Sequence, residues 1–234
     1  MPYRRLPKTD SARLKALKTL LENNDIYTVK NRFIDWQLIN QAQSLYEKLL
    51  TASEQYKVNL QAQTRHASKT LKLQRTATQY VSHFLQVLFM CVERGEIKKQ
   101  QLALYGLEPN TTSLPNLKST EGLLKWGIHT IQGEKERIKK GGRPIYNPTI
   151  GMVSTRIDIF KETNETLQTF IKRTQTSINN IQQLRPMVDK VILNIWNQIE
   201  KHFENELPEL RYPACRKLGV VYYYRRHEEH LFEE

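Results

Sequence analysis

ASKTLKLQRTATQYVSHFLQVLFMCVERG, residues 67 to 95, decides the fold of this chain. Ala67, Leu71, Ala77, Tyr80, Val81, Phe84, Leu88 and Cys91 recur largely at spacings of three and four, the pitch of a helix with one apolar face. Gly95 follows, a residue type with which helices commonly end. Working outward, the 87 residues between Pro7 and Gly95 include neither proline nor glycine. A multi-stranded sheet needs frequent turn residues, so long helices are the reading. The densest apolar run, Tyr80 to Val92, spans about 13 residues and carries Ser82, His83 and Gln86, well short of the ~20 that cross a bilayer. It predicts a buried helix and no membrane partner.

Upstream, Leu14, Leu17, Leu20 and Leu21 mark a first helix, capped by Thr9, Asp10 or Ser11 and ending near Asn23-Asn24-Asp25. A second apolar face begins about Val29 and continues through Phe33, Trp36, Ile39, Ala42, Leu45, Leu49, Ala52, Tyr56 and Leu60. One helix from Val29 to Arg94 would reach roughly 100 Å at ~1.5 Å per residue, far beyond a compact domain of this size. A reversal or kink is therefore expected where the pattern thins, across Gln61 to Ser68.

Downstream, Tyr105-Gly106, Pro109-Asn110 and Leu114-Pro115 interrupt helical periodicity and make 96–118 the expected linker. Ser119 can cap a short helix with Leu123, Leu124, Trp126, Ile128 and Ile131 on its apolar side, weakened by Gly127 and Gly133. Asn147-Pro148 has the chemistry of a helix start. The stripe Val153, Ile157, Phe160, Leu167, Phe170, Ile171, Ile178, Ile181 and Leu184 predicts a long helix that Pro186 breaks or restarts. A last helix uses Val188, Ile192, Ile195, Trp196, Ile199 and Phe203 and ends near Leu207-Pro208. The β-branched and aromatic run Gly219 to Tyr224 is expected to pair with extended Pro144-Ile145-Tyr146.

The expected architecture is all-α: a helical bundle of about six helices, four of them long, with one short C-terminal extended segment. Residues 1–234 form one domain, or two similar helical halves, 1–95 and 119–207, joined by the 96–118 linker, with 208–234 as a tail. The runs Arg4-Arg5-Leu6-Pro7-Lys8-Thr9-Asp10, Tyr80-Val81-Ser82-His83-Phe84 and Gly141-Gly142-Arg143-Pro144-Ile145-Tyr146-Asn147-Pro148 resemble those of an uncharacterised all-helical family of gut Bacteroidales proteins. The resemblance covers most of the chain. It implies a helical fold and a bacterial, cytoplasmic origin, and it brings no activity with it.

An apolar share of 39% and a charged share of 26% suit a globular chain and exclude collagen-like and disulfide-scaffold classes. Lysine and arginine number 36 against 24 acidic residues, a net charge of +12, which favours anionic partners. The excess leans to the first 117 residues, at +8, against +4 for the remainder. Two cysteines, Cys91 and Cys215, do not make a disulfide framework and fit a reducing compartment. The opening Met1 to Pro7 has no apolar core of the secretory kind, so the cytoplasm is expected.

No acidic residue occurs in the 38 positions from Gln55 to Val92, whereas Lys57, Arg65, Lys69, Lys72 and Arg75 are all basic. At ~100° per residue, Lys69 and Lys72 fall within about 40° of Arg65 and Arg75 at about 80°, while Ala77, Val81, Phe84 and Leu88 lie roughly 100–160° away. The cationic stripe therefore opposes the core face. Such a stripe can track a phosphate backbone, and an ordinary solvated helix face looks the same. Lys139, Lys140 and Arg143 flank Gly141-Gly142, whose N–H groups suit either an anion nest or the C-terminal cap of a basic helix end. The Tyr222-Tyr223-Tyr224-Arg225-Arg226-His227 run interleaves aromatics with cations as single-strand binders do, and an edge strand explains it equally.

Glu-x-x-His, the di-metal signature of helical bundles, is absent at all six histidines, and no metal or cofactor is expected. His227 and His230 share i, i+3 spacing only in the terminal segment. His83 reads as a hydrogen-bonded core histidine and Cys91 as a small hydrophobe. Gly-x-Ser-x-Gly and dinucleotide glycine patterns are missing. These features predict a non-enzymatic protein acting by protein–protein interaction or self-association. The alternative is phosphate-backbone binding of nucleic acid through the basic helix face, and an enzyme of unrecognised type comes third.

Overall fold

A computed structural model describes residues 2–23 and 33–226 of the chain. The expected helix start near Val29 and the tail residues His227, Glu228, Glu229, His230, Glu233 and Glu234 lie outside the described residues. The chain is all-α, in the order β1 (Tyr3–Arg4), α1 (Asp10–Leu21), α2 (Trp36–Glu93), a 3-10 helix (Lys99–Tyr105), α3 (Thr120–Lys139), α4 (Ile150–His202), α5 (Pro208–Lys217) and β2 (Tyr222–Tyr223). Among the described residues two helices are long, because each pair of long helices expected on either side of a break is one continuous element. No described helix is long and apolar enough to cross a membrane.

Local chemistry accounts for the N-terminal ends of α1, α3 and α4. The Thr9 hydroxyl accepts from the Ala12 N–H at the start of α1, and Ser119 does the same for Gly122 at the start of α3. Helix α4 starts at Ile150, later than Asn147-Pro148 suggested, and its capping oxygen belongs to Thr149, which accepts from the Met152 N–H.

The expected break at Gln61 to Ser68 does not occur, and α2 is helical for 58 residues. The apolar pattern thins there because polar groups fill the packing positions. His66 stacks on Phe170 with ring centroids 4.2 Å apart, and buried Thr70 returns its hydroxyl to the His66 carbonyl. Nothing in the segment is a helix breaker. Pro186 likewise fails to stop α4, which runs for 53 residues. Both Pro186 and Gln182, whose carbonyl loses its partner, are solvent-exposed, so water can take the hydrogen bond that proline removes.

The described fold comprises two compact units. Unit 1 is Met1–Asn59 with Arg173–Glu234, and unit 2 is Leu60–Lys172. Both boundaries fall inside α2 and α4, so the units do not coincide with the halves 1–95 and 119–207 suggested by the order of predicted helices.

Unit 1 buries Leu17, Leu20, Ile39, Leu49, Val188, Ile192, Trp196 and Ile199 in its core. Residues 208–226 belong to it as structure and not as a loose tail. Cys215, Leu218 and Val220 join the core, and β2 pairs antiparallel with β1, Tyr3 facing Tyr223 and Arg4 facing Tyr222. The expected pairing of this segment with Pro144 to Tyr146 is thereby overturned, and Tyr146 instead forms a local bridge with Thr149. Glu200 of α4 ties the strand pair down, accepting from the Tyr222 hydroxyl and from Arg4, each at 2.7 Å. Helix α1 is held by two reciprocal pairs to α4, Arg185 with Asp10 and Arg13 with Asp189.

Unit 2 buries Ala77, Val81, Phe84, Leu88, Leu123, Val153, Ile157 and Phe160. Residues 96–118 are part of this core and not a linker, for Ile97, Leu102, Tyr105, Leu107 and Leu117 are all buried within it. The two glycines of α3 mark close approaches. A Cβ at Gly127 would stand 2.5 Å from Ile157, and one at Gly133 would stand 2.6 Å from the Tyr105 ring.

Candidate anion-binding surfaces

On α2, Arg65, Lys69, Lys72 and Arg75 are all exposed, while Thr70, Ala77, Val81, Phe84 and Leu88 of the same helix are buried. The opposition of basic and core faces read from the helical pitch is thus realised within unit 2. None of the four cations forms an ion pair among the described residues. The side-chain hydroxyls of Thr64, Ser68 and Thr76 donate back to carbonyls of their own helix. Long flexible ammonium and guanidinium groups therefore dominate this face. Lys57 is exposed on the same helix but belongs to unit 1.

At the C-terminal end of α3 the Gly-Gly pair caps the helix. The Gly141 N–H donates to the Ile138 carbonyl and the Gly142 N–H to that of Arg137, with Gly141 at φ 86°. This is a Schellman closure, and it consumes both N–H groups that an anion nest would need. The nest reading of these glycines fails for that reason. Lys139, Lys140 and Arg143 are exposed around this turn. Lys140 and Arg143 come together on a cleft of about 630 Å³ that Lys98, Arg137 and Glu96 also line, whereas Lys139 does not line it.

Beneath the turn lies a buried polar cluster that sequence reading missed. Glu134 is fully buried and Arg137 is 2% exposed. Arg137 Nε donates to Glu134 Oε2 and to the Tyr105 hydroxyl oxygen, and Nη2 donates to Glu134 Oε1 and to the Arg143 carbonyl at 2.6 Å. The Tyr105 hydroxyl and the Ile145 N–H donate to the same carboxylate. Burial, followed by the bond to Glu134, pushes the Tyr105 phenol far above its usual range. Every carboxylate lone pair in easy reach is taken, so the cluster fastens the 3-10 helix and the loop after α3 together and leaves no base for catalysis. A weak signal for it existed in the sequence: Glu134 and Arg137 share the i, i+3 face of buried Ile131, beside a glycine.

His83 is exposed, which corrects its reading as a core histidine, because it points away from the Val81, Phe84 and Leu88 side of α2. Cys91 packs half-buried against the unit 2 core, and burial raises its thiol pKa, as does its hydrogen bond to Glu96. Such a thiol is a poor nucleophile. Arg5 lies over the Tyr223 ring and Arg225 over the Tyr3 ring, so at least part of the aromatic-cationic tail is engaged in holding the strand pair. No group of three or more His, Cys, Asp or Glu side chains gathers at metal-binding distance among the described residues. No family model, curated protein or solved structure matches this chain.

Proposed function

We propose that this chain is a non-enzymatic binding protein whose basic α2 face holds a polyanion, the phosphate backbone of nucleic acid. One observation carries the reading: Arg65, Lys69, Lys72 and Arg75 stand exposed, with no acidic partner among the described residues, on the helix face opposite the unit 2 core. Unit 2 also holds 17 basic against 9 acidic residues, so it carries +8 of the chain's +12. Backbone binding of this kind needs no base-reading groups and no conformational switch, only cations spaced along a rod. The same reading places the protein in a reducing cytoplasm, which its two unpaired cysteines suit.

The test is fluorescence anisotropy with a labelled oligonucleotide at low salt. The parent is expected to bind, and the variant Arg65→Glu, Lys69→Glu, Lys72→Glu, Arg75→Glu is expected to lose at least about 3 kcal/mol of that affinity, at ~1 kcal/mol per contact. Equal affinity for parent and variant would refute it.

Self-association or binding of another protein is the second reading. It is favoured by Leu71, 49% exposed within the basic segment, and by Val58, 61% exposed. Light scattering coupled to size exclusion separates the two: a concentration-dependent dimer unaffected by the charge reversals supports protein association.

A further inference from the structure

We infer that the cleft at the end of α3 binds a small phosphorylated ligand carrying a planar ring, a nucleotide by chemical class. The cleft holds about 630 Å³, within the ~300–1,000 Å³ usual for ligand sites. Among the described residues that line it, Lys98, Lys140 and Arg143 stand against one acid, Glu96, while the charge of Arg137 is met by Glu134, so the lining keeps a positive excess that favours an anion.

Arg137 is what distinguishes the place from a patch of surface lysines. Its guanidinium is almost wholly buried, and Nε and Nη2 are fixed by Glu134, Tyr105 and the Arg143 carbonyl. Nη1 has no protein acceptor among the described residues. A Cβ at Gly142 would stand 2.7 Å from Nη1, so glycine here keeps open the space beside the one unspent edge of the guanidinium. A donor already held in place by its own carboxylate loses little freedom when an anion arrives. Tyr146 lines the same cleft yet is 78% exposed, a large ring left in water that a planar base can cover. Its backbone is pinned by the bridge to Thr149. None of Arg65, Lys69, Lys72 and Arg75 contributes to the cleft, so this inference stands independently of the α2 face.

Isothermal titration calorimetry of the full chain with ADP, and in parallel with inorganic pyrophosphate, tests it. ADP is expected to bind with a Kd of roughly 1 mM or tighter. The pair Lys140→Glu, Arg143→Glu should weaken both probes at least about tenfold, ~1.4 kcal/mol. Tyr146→Ala should weaken ADP alone, and Lys161→Glu, an exposed position away from the cleft, should change neither. Lys98→Glu repeats the charge test at an independent position should the double variant melt early. Absence of ADP binding at about 10 mM, or affinity indifferent to the charge reversals, overturns the site. Equal loss of both probes in Tyr146→Ala overturns the ring.

Discussion

Glu134 carries a charge into the core of unit 2 with no exposed surface, and it is tolerated because four donors reach it. Removing one partner of a buried ion pair leaves the other uncompensated, which costs roughly 3–5 kcal/mol. Glu134→Gln is therefore expected to lower urea-unfolding stability by about 3 kcal/mol, and Tyr105→Phe by about 1–2 kcal/mol, since it removes one donor to Glu134 and one acceptor of Arg137 but leaves the ion pair in place. Parent-like stability in Glu134→Gln would show that the cluster does not hold these elements together. Asp10 offers a titration test. Hydrogen bonds from Arg185 hold its carboxyl below the ordinary range against the opposing effect of burial, with the charges of Arg185 and Arg13 adding. A depressed folded pKa contributes stability that is present above the unfolded value of about 3.9 and lost as pH falls through the folded one. Asp10→Asn should thus be destabilised at neutral pH, with the gap to the parent closing below about pH 4 in thermal melts. The sequence carried only a weak i, i+3 signal for the Glu134–Arg137 pair and none for the pairing of Asp10. Glu134 sits in a run of charges, Glu134-Lys135-Glu136-Arg137, that reads as solvated surface, and partners at a separation such as Arg185 to Asp10 are invisible to local spacing.

At the scale of elements, several helix ends could be read from residues within one turn of them, although the start of α4 was placed too early, and what depends on distant packing could not be read. Thr9, Ser119, Gly95 and the Gly-Gly closure behave as their local chemistry demands. The missing breaks are more instructive. Thinning of an apolar stripe signals only that polar groups occupy the packing face, as His66 and Thr70 do, and without a proline or glycine the backbone keeps its ladder. At Pro186 the ladder survives a breaker, because buried Ile181, Val188 and Val191 hold the helix on both sides. Pro186 is itself exposed, so replacing it sacrifices little packing and restores a backbone donor. Pro186→Ala is expected to raise stability by about 1–3 kcal/mol in denaturant unfolding, and a loss of stability would mean that the proline is required for the path of α4. The β1–β2 pairing escaped sequence reading because strands of two residues carry no periodicity to detect.

For the molecule as a whole, helical class and the sign of the charge followed from composition and pitch, whereas the division into units did not. Helix order suggested halves end to end. Instead described segments from the first and last parts of the sequence share one core and the middle of the chain makes the other, an arrangement set by which apolar faces find each other and not by succession. That division concentrates the positive excess in unit 2, on whose α2 face the functional claim rests. Its most direct test is the salt dependence of oligonucleotide affinity. Four phosphate contacts on duplex DNA predict a slope of about −3 to −4 in log affinity against log salt, flattening in the variant with Arg65, Lys69, Lys72 and Arg75 reversed to Glu. A slope near zero in the parent, or the same slope in both proteins, would contradict it.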